Sequence, residues 1–396
     1  MSARSPRGRA LILTAVSLCG WCGWELVREL PHPFADISAG TYSDHFSHMN
    51  AARLFPRVGL DLWRKPLQQH GHRITPQEMT AMPADIQRPA RWNGAFFAIE
   101  GWPTSKPFAS SWIDIPRLYP PGDLLLFAPA ALAYHFTPLS FSGANRWLMV
   151  LLLLYAHASL YLFFELLFRE RLSAVAIGTC LLVYAEVMYW TLEGFYDAAT
   201  IVPLVWCARF LRERRGLAAL VAYAAAAFIQ FKAYFLGPFA LYAAWIILRD
   251  RQWRAWRVRD WLAVLAAALM AGCSLGTFFL ERRVFGNLPA NNPVGLAGAD
   301  INYAAVLGFV ATIVLICAVV VRARAWRELV TIGWLSGTLL IMRGIYGWYH
   351  LVPLALLAVP LLDPGATKPS WVRGARFAFV ACVAGAMLAG QALPAP

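Results

Sequence analysis

A carboxylate and two imidazoles fall together in Asp44-His45-Phe46-Ser47-His48. The run Thr41 to Arg53 predicts a helix start, with Ser43 as cap and Asp44 in the first turn. On such a helix Asp44 and His48 stand at i, i+4 and share a face. A carboxylate so placed can take a proton from a hydroxyl. Its plainer role is to support the helix N-terminus. Asp44, His45 and His48 also permit a divalent cation, but the spacing is not specific for one, and no metal ligand is assigned.

Other polar groups stand in short joints between apolar blocks. They are Glu193-Gly194-Phe195-Tyr196-Asp197, Phe231-Lys232-Ala233-Tyr234, and Arg343-Gly344-Ile345-Tyr346-Gly347-Trp348-Tyr349-His350. Lys232 is the only charge between Arg215 and Arg249. A charge at membrane depth is costly and faces a cavity or a partner, or else snorkels to the headgroups. Lys232 and Arg343 suit a phosphate, with Tyr346 and His350 as further donors. Tyr346, Trp348 and Tyr349 also fit an interfacial aromatic belt. Glu193 and Asp197 suit sugar hydroxyls, a cation, or plain solvation. His157 lies mid-block and reads as a satisfied structural histidine.

The elements that must position these groups are membrane helices. The chain has 396 residues, is 59% hydrophobic and only 14% charged, against roughly 25% charged in soluble domains. A soluble enzyme, a disordered chain and a disulfide scaffold are excluded. Apolar blocks predict a first span at 10–28, a long extracytoplasmic loop at 29–144, and a bundle at 145–396. Candidate spans in the bundle are 145–168, 174–191, 199–211, 217–231, 234–248, 261–280, 304–321, 329–343, 350–362 and 376–392. With the first, that makes about 11 spans in an all-α polytopic fold. Several are short and extend into their flanks or span incompletely. The stretch 122–136, broken by Pro129, is read as interfacial or re-entrant.

The net charge of +13 tests this map. With residues 1–9 inside, the cytoplasmic joints 1–9, 168–173, 209–216, 249–260, 322–328 and 363–376 hold 20 of the 35 Lys and Arg. Short outside joints hold 4, and the remaining 11 run from Arg28 to Arg146, in the long loop and at its two edges. Positive charge stays inside, and long loops cross regardless. Counting 122–136 as a span would reverse this balance. All seven cysteines lie in apolar blocks, so no disulfide framework is available. Cys19 and Cys22, both within the first span, read as packing residues. No repeat, Walker loop or dinucleotide fingerprint is present.

Taken in order and on one side of the membrane, these motifs resemble the glycosyltransferase C superfamily. The nearest likeness is to its polyprenyl-phosphate-mannose-dependent branch, family eighty-seven. Asp44 stands where the family has an acidic residue in the first outside loop. Gly59-Leu60-Asp61-Leu62-Trp63 resembles the close of the helix that follows. Tyr119-Pro120-Pro121 resembles the element that ends the loop. Gly194 to Asp197 resembles a Gly-x-x-acidic joint. Phe231-Lys232-Ala233-Tyr234 resembles a Phe-Lys-x-Tyr element, and Tyr346 to Pro353 a late Tyr-rich joint. Gly122 departs from the usual large apolar residue, Phe195 from a common amide, and 66–116 looks like an insertion.

The resemblance implies an enzyme that moves a sugar from a polyprenyl-phosphate donor to an acceptor hydroxyl, with inversion. Asp44 would be the general base. Lys232, Arg343, Tyr346, His350, Asp197, Glu193, His48 and Tyr119 would bind substrate. The acceptor would be a glycolipid, a polysaccharide or a protein. A divalent cation is permitted, and no nucleic acid is expected. The Arg- and Ala-rich composition suggests a bacterial inner membrane with a periplasmic site. A lipid-linked saccharide ligase or polymerase, an acyltransferase and a transporter are the rival readings.

Overall fold

The computed structural model describes residues 5–28, 39–66, 119–139, 141–169, 174–192, 196–230 and 237–285, with a few positions between them, Arg117 among these. Nine helices carry these residues: α1 Pro6–Arg28, α2 Ala39–Val58, α3 Gly122–Phe136, α4 Phe141–Arg169, α5 Ala174–Leu192, α6 Asp197–Arg212, α7 Gly216–Ile229, α8 Gly237–Arg249 and α9 Val258–Phe285. The helices from α4 to α9 follow the expected apolar blocks to within a few residues at most ends. The spans expected at 304–321, 329–343, 350–362 and 376–392 lie outside the described residues. Two details differ from expectation. Helix α2 begins at Ala39, so Ser43 lies inside the helix and is not its cap. The 66–116 region contains a small antiparallel sheet, β1 His72–Arg73, β2 Phe96–Ala98 and β3 Phe108–Ala109, in sheet order β1-β2-β3. Phe97 pairs with both Arg73 and Phe108.

Among the described residues, three helices are long and apolar enough to cross a membrane: Pro6–Val27, Gly143–Arg169 and Val258–Thr277. Their surfaces point the same way. On α1, Leu11, Ile12, Val16 and Val27 are at least 50% exposed, and on α9 so are Val258, Leu262, Leu265 and Leu269. Continuous apolar faces of this kind suit lipid, not water. Helices α7 and α8 have 14 and 13 residues. At about 1.5 Å rise per residue each is too short to cross an apolar core of about 30 Å. Helix α3, with 15 residues and Pro129 inside, is likewise shorter than such a core.

Helix α4 is the pillar of the bundle, packed by α1, α3, α5 and α6. Helix α7 is the second hub, between α6, α8 and α9. A directional hydrogen-bond chain ties α1 to α4 and α5. The Trp21 indole can only donate, and it donates to Tyr184 Oη at 2.7 Å. Tyr184 then gives its hydrogen to Ser17 Oγ at 2.6 Å, and Ser17 gives its own to His157 Nε2 at 2.9 Å. His157 Nδ1 donates to the Leu153 carbonyl at 2.8 Å. Both imidazole nitrogens are satisfied, as expected of a structural histidine.

The cationic joints meet at one end of this bundle. Glu165, with a side chain 3% exposed, pairs with Arg7 at 3.1 Å, Arg209 at 3.5 Å and Arg169 at 3.7 Å. Arg214 pairs with Asp250 at 3.0 Å, and Gln252 bonds both the Gly216 amide and the Arg214 carbonyl. Arg7, Arg169, Arg209, Arg214 and Asp250, from the joints expected on the cytoplasmic side at 1–9, 168–173, 209–216 and 249–260, thus share one end. Gly216 permits this: a Cβ there would lie 2.7 Å from the Ala243 carbonyl oxygen.

Candidate functional site

The opposite ends of α6 and α7 meet α2 and α3, and there His48 is buried at 1% exposure. Helix α2 carries it inward because Met49, Ala51 and Leu54 pack the same helix against α3, Leu62 and Trp63. Gly59, at φ +56°, turns the chain out of α2 in a conformation that side chains resist. The following one-turn helix Gly59–Trp63 then holds the distant segment 117–119. Arg117 N donates to the Leu62 carbonyl at 2.8 Å, and Trp63 Nε1 donates to the Tyr119 carbonyl at 2.8 Å. The run Gly59 to Trp63, singled out in sequence, is therefore the brace that sets Arg117 and Tyr119.

Arg117, Asp123 and His48 form one buried cluster. Asp123 is fully buried and Arg117 is 3% exposed at its side chain. Asp123 Oδ2 accepts a short bond from Arg117 Nη2 and lies 2.7 Å from His48 Nδ1. Arg117 Nη2 also lies 3.2 Å from His48 Nδ1. A carboxylate oxygen at 2.7 Å requires a hydrogen on Nδ1, so Nδ1 donates to Asp123 and both donors converge on Oδ2. The other imidazole nitrogen, Nε2, is buried and makes no hydrogen bond among the described residues, and the same holds for Asp123 Oδ1. Burial alone pushes the Asp123 carboxyl up. The charge of Arg117 and the bond from His48 outweigh it and hold the carboxyl below its ordinary value.

Three aromatic rings enclose the imidazole. Tyr119 stands edge-on with ring centres 4.4 Å apart, Tyr196 edge-on at 4.6 Å, and Phe127 stacks at 4.9 Å. Tyr196 immediately precedes α6 and brings the start of that helix to His48. The end of α7 arrives through two contacts. Thr200 Oγ1 donates to Gln230 Oε1 at 3.3 Å. Gly122 packs so closely on Phe228 that a Cβ would lie 2.6 Å from Cδ1 and 2.7 Å from the carbonyl carbon. This explains the small residue at 122: α3 starts against the backbone of α7.

No family model, no curated protein and no solved structure matches this chain. The site therefore rests on its own residues. Of the sequence-derived candidates, the structure brings His48 and Tyr119 into contact. Asp44 lies on α2 one turn before His48, and Asp197 opens α6 next to Tyr196. The side chains of Asp44 and Asp197 are not among the described ones. Glu193, Lys232, Arg343, Tyr346 and His350 lie outside the described residues, although Lys232 follows Gln230 by two positions. Among the described residues no group of three His, Cys, Asp or Glu is placed to hold a metal ion. Cys19 and Cys22 are free thiols.

Arg117 and Asp123 were not singled out by sequence. A signal was present: Asp123 is the one charge in the apolar stretch 122–136 and directly follows Pro120-Pro121-Gly122. A lone carboxylate at the start of an apolar helix needs a partner. Arg117 was the nearest cation upstream.

Proposed function

We propose that this protein is a membrane glycosyltransferase of glycosyltransferase C type. It moves a sugar from a polyprenyl-phosphate donor to an acceptor hydroxyl on the extracytoplasmic face. The observation that carries the reading is the convergence on His48. The helix bearing Asp44, the element ending in Tyr119, and the joint of Tyr196 and Asp197 meet at the end of the bundle away from the basic joints. That arrangement suits a site at the membrane surface, where a lipid-linked sugar presents its headgroup.

In the proposed reaction, Asp44 takes the proton as the acceptor oxygen attacks the anomeric carbon. The new glycosidic C–O bond forms as the anomeric bond to the phosphate oxygen breaks. The bonding pair leaves on the polyprenyl phosphate. Direct displacement inverts the anomeric centre. Lys232 and Arg343 stabilise the charge growing on the phosphate, with Tyr346 and His350 as further donors. Glu193 and Asp197 bind sugar hydroxyls or a divalent cation. The donor is a polyprenyl-phosphate hexose or pentose. The acceptor is a glycolipid, a polysaccharide or a protein.

The protein belongs on this reading to a bacterial inner membrane, with residues 1–9 cytoplasmic and the site periplasmic. The test is sugar transfer from labelled polyprenyl-phosphate donors by membranes carrying the wild type, Asp44→Ala or Lys232→Ala. Transfer by the wild type and its loss in both variants supports the reading. Transfer undiminished in Asp44→Ala removes Asp44 as base. A reporter fused after Arg215 checks the orientation and should lie inside.

A further inference from the structure

The buried Arg117–Asp123–His48 cluster does something the proposed chemistry has not used. Asp123 fixes the hydrogen of His48 on Nδ1. With that hydrogen on Nδ1, the ring in its neutral form presents Nε2 as a bare acceptor. Nε2 is buried and takes no hydrogen bond among the described residues. An unmet acceptor in a dry enclosure is costly unless a donor supplies it. The rings of Tyr119, Phe127 and Tyr196 around it are apolar walls, and Tyr119 is only partly buried. Aromatic walls with one oriented polar atom describe a small-molecule subsite. Aromatic rings pack against the C–H faces of a pyranose, and its hydroxyls are donors of the kind Nε2 lacks.

We propose that His48 Nε2 reads one hydroxyl of the transferred sugar, and that Asp123 and Arg117 are positioning residues that hold it as an acceptor. This rests on the transferase reading and goes further. It names a sugar-specificity contact and the buried ion pair behind it. Asp44 remains the base, and His48 takes a hydrogen bond and not the proton. The ring of Tyr119, the partly exposed wall, must turn aside for a hydroxyl to reach the buried Nε2.

The test measures binding and transfer on the purified full-length protein. The probes are a polyprenyl-phosphate hexose and analogues with each ring hydroxyl replaced in turn by fluorine, which cannot donate. The wild type should lose up to about tenfold in affinity at one ring position, the upper end of what one net hydrogen bond supplies. His48→Phe keeps an aromatic ring and removes both nitrogens. It should bind hydroxyl and fluorine at that position alike, with KM raised more than kcat is lowered. Asp123→Leu should also lose the discrimination. Asp123→Asn keeps an oxygen that accepts from both Arg117 and His48, and should retain it. If Asp123→Leu does not fold, His48→Phe and Asp123→Asn still decide. A wild type that binds and transfers, with discrimination surviving in His48→Phe or with no discriminating position, overturns this inference alone. A wild type that binds no polyprenyl-phosphate sugar overturns the transferase reading and this inference with it.

Discussion

The buried ion pair makes a quantitative prediction of non-additivity. Asp123 is fully buried and Arg117 nearly so. Removing one partner leaves an uncompensated charge in an apolar setting, which costs about 3–5 kcal/mol. Asp123→Leu strips Arg117 of its carboxylate and His48 Nδ1 of its acceptor at once. Arg117→Met leaves Asp123 still bonded by the imidazole N–H. Asp123→Leu should therefore be the more damaging of the two, near the top of that range. The double variant removes both charges and replaces them with apolar groups. Buried pairs exchanged this way are often near neutral, so the double should cost less than Asp123→Leu alone. The coupling energy from the cycle should then reach several kcal/mol. The assay is reversible unfolding of the detergent-solubilised protein, followed by near-ultraviolet dichroism. Single costs that add within about 0.5 kcal/mol, the behaviour of independent sites, would refute the claim that the two groups act as one buried pair.

Three further outcomes follow from the same structure. Asp123 is held below its ordinary carboxyl value. Its contribution is present above the unfolded carboxyl range, about pH 3.9, and is lost as pH falls through the lower folded value. Acid unfolding of Asp123→Asn should show a shallower pH dependence than the wild type in that window. Gly122→Ala should cost about 1–3 kcal/mol, since its Cβ meets the Phe228 backbone and not a flexible tip; thermal melts of the solubilised protein measure this, and an unchanged melt contradicts the close approach. Ser17→Ala breaks the chain between Tyr184 and His157 and should cost about 1–3 kcal/mol. The same melts with Tyr184→Phe as partner should show that the two losses are not additive.

The helices of the bundle were legible because a bilayer leaves blocks in the sequence. Each span needs a run of apolar residues, and the Arg and Lys between runs mark the joints. The gathering of Arg7, Glu165, Arg169 and Arg209 at one end follows from that same charge rule. Helix α3 was legible as a short apolar helix with Pro129 inside it. The start of α2 was misplaced by five residues, since Ser43 offered a cap the chain does not use. The strands in the 66–116 region carry too few residues to show alternation. The heart of the site was half visible. His48 and Tyr119 stood in motifs, but Asp123 meets His48 across 75 residues of chain, and no local period records such a contact. The reading of Tyr119-Pro120-Pro121-Gly122 stopped one residue short of it.

The central claim is that the residues gathered at His48 serve transfer from a lipid-linked sugar. The most direct measurement is incorporation of label from polyprenyl-phosphate sugars into acceptor by membranes with the wild type and Asp44→Ala. Loss of a general base lowers the rate by about 10²–10⁴-fold. The account predicts transfer by the wild type and a fall of that size in Asp44→Ala, with donor binding retained. Equal transfer by the two proteins, or none by the wild type from any such donor, would contradict it.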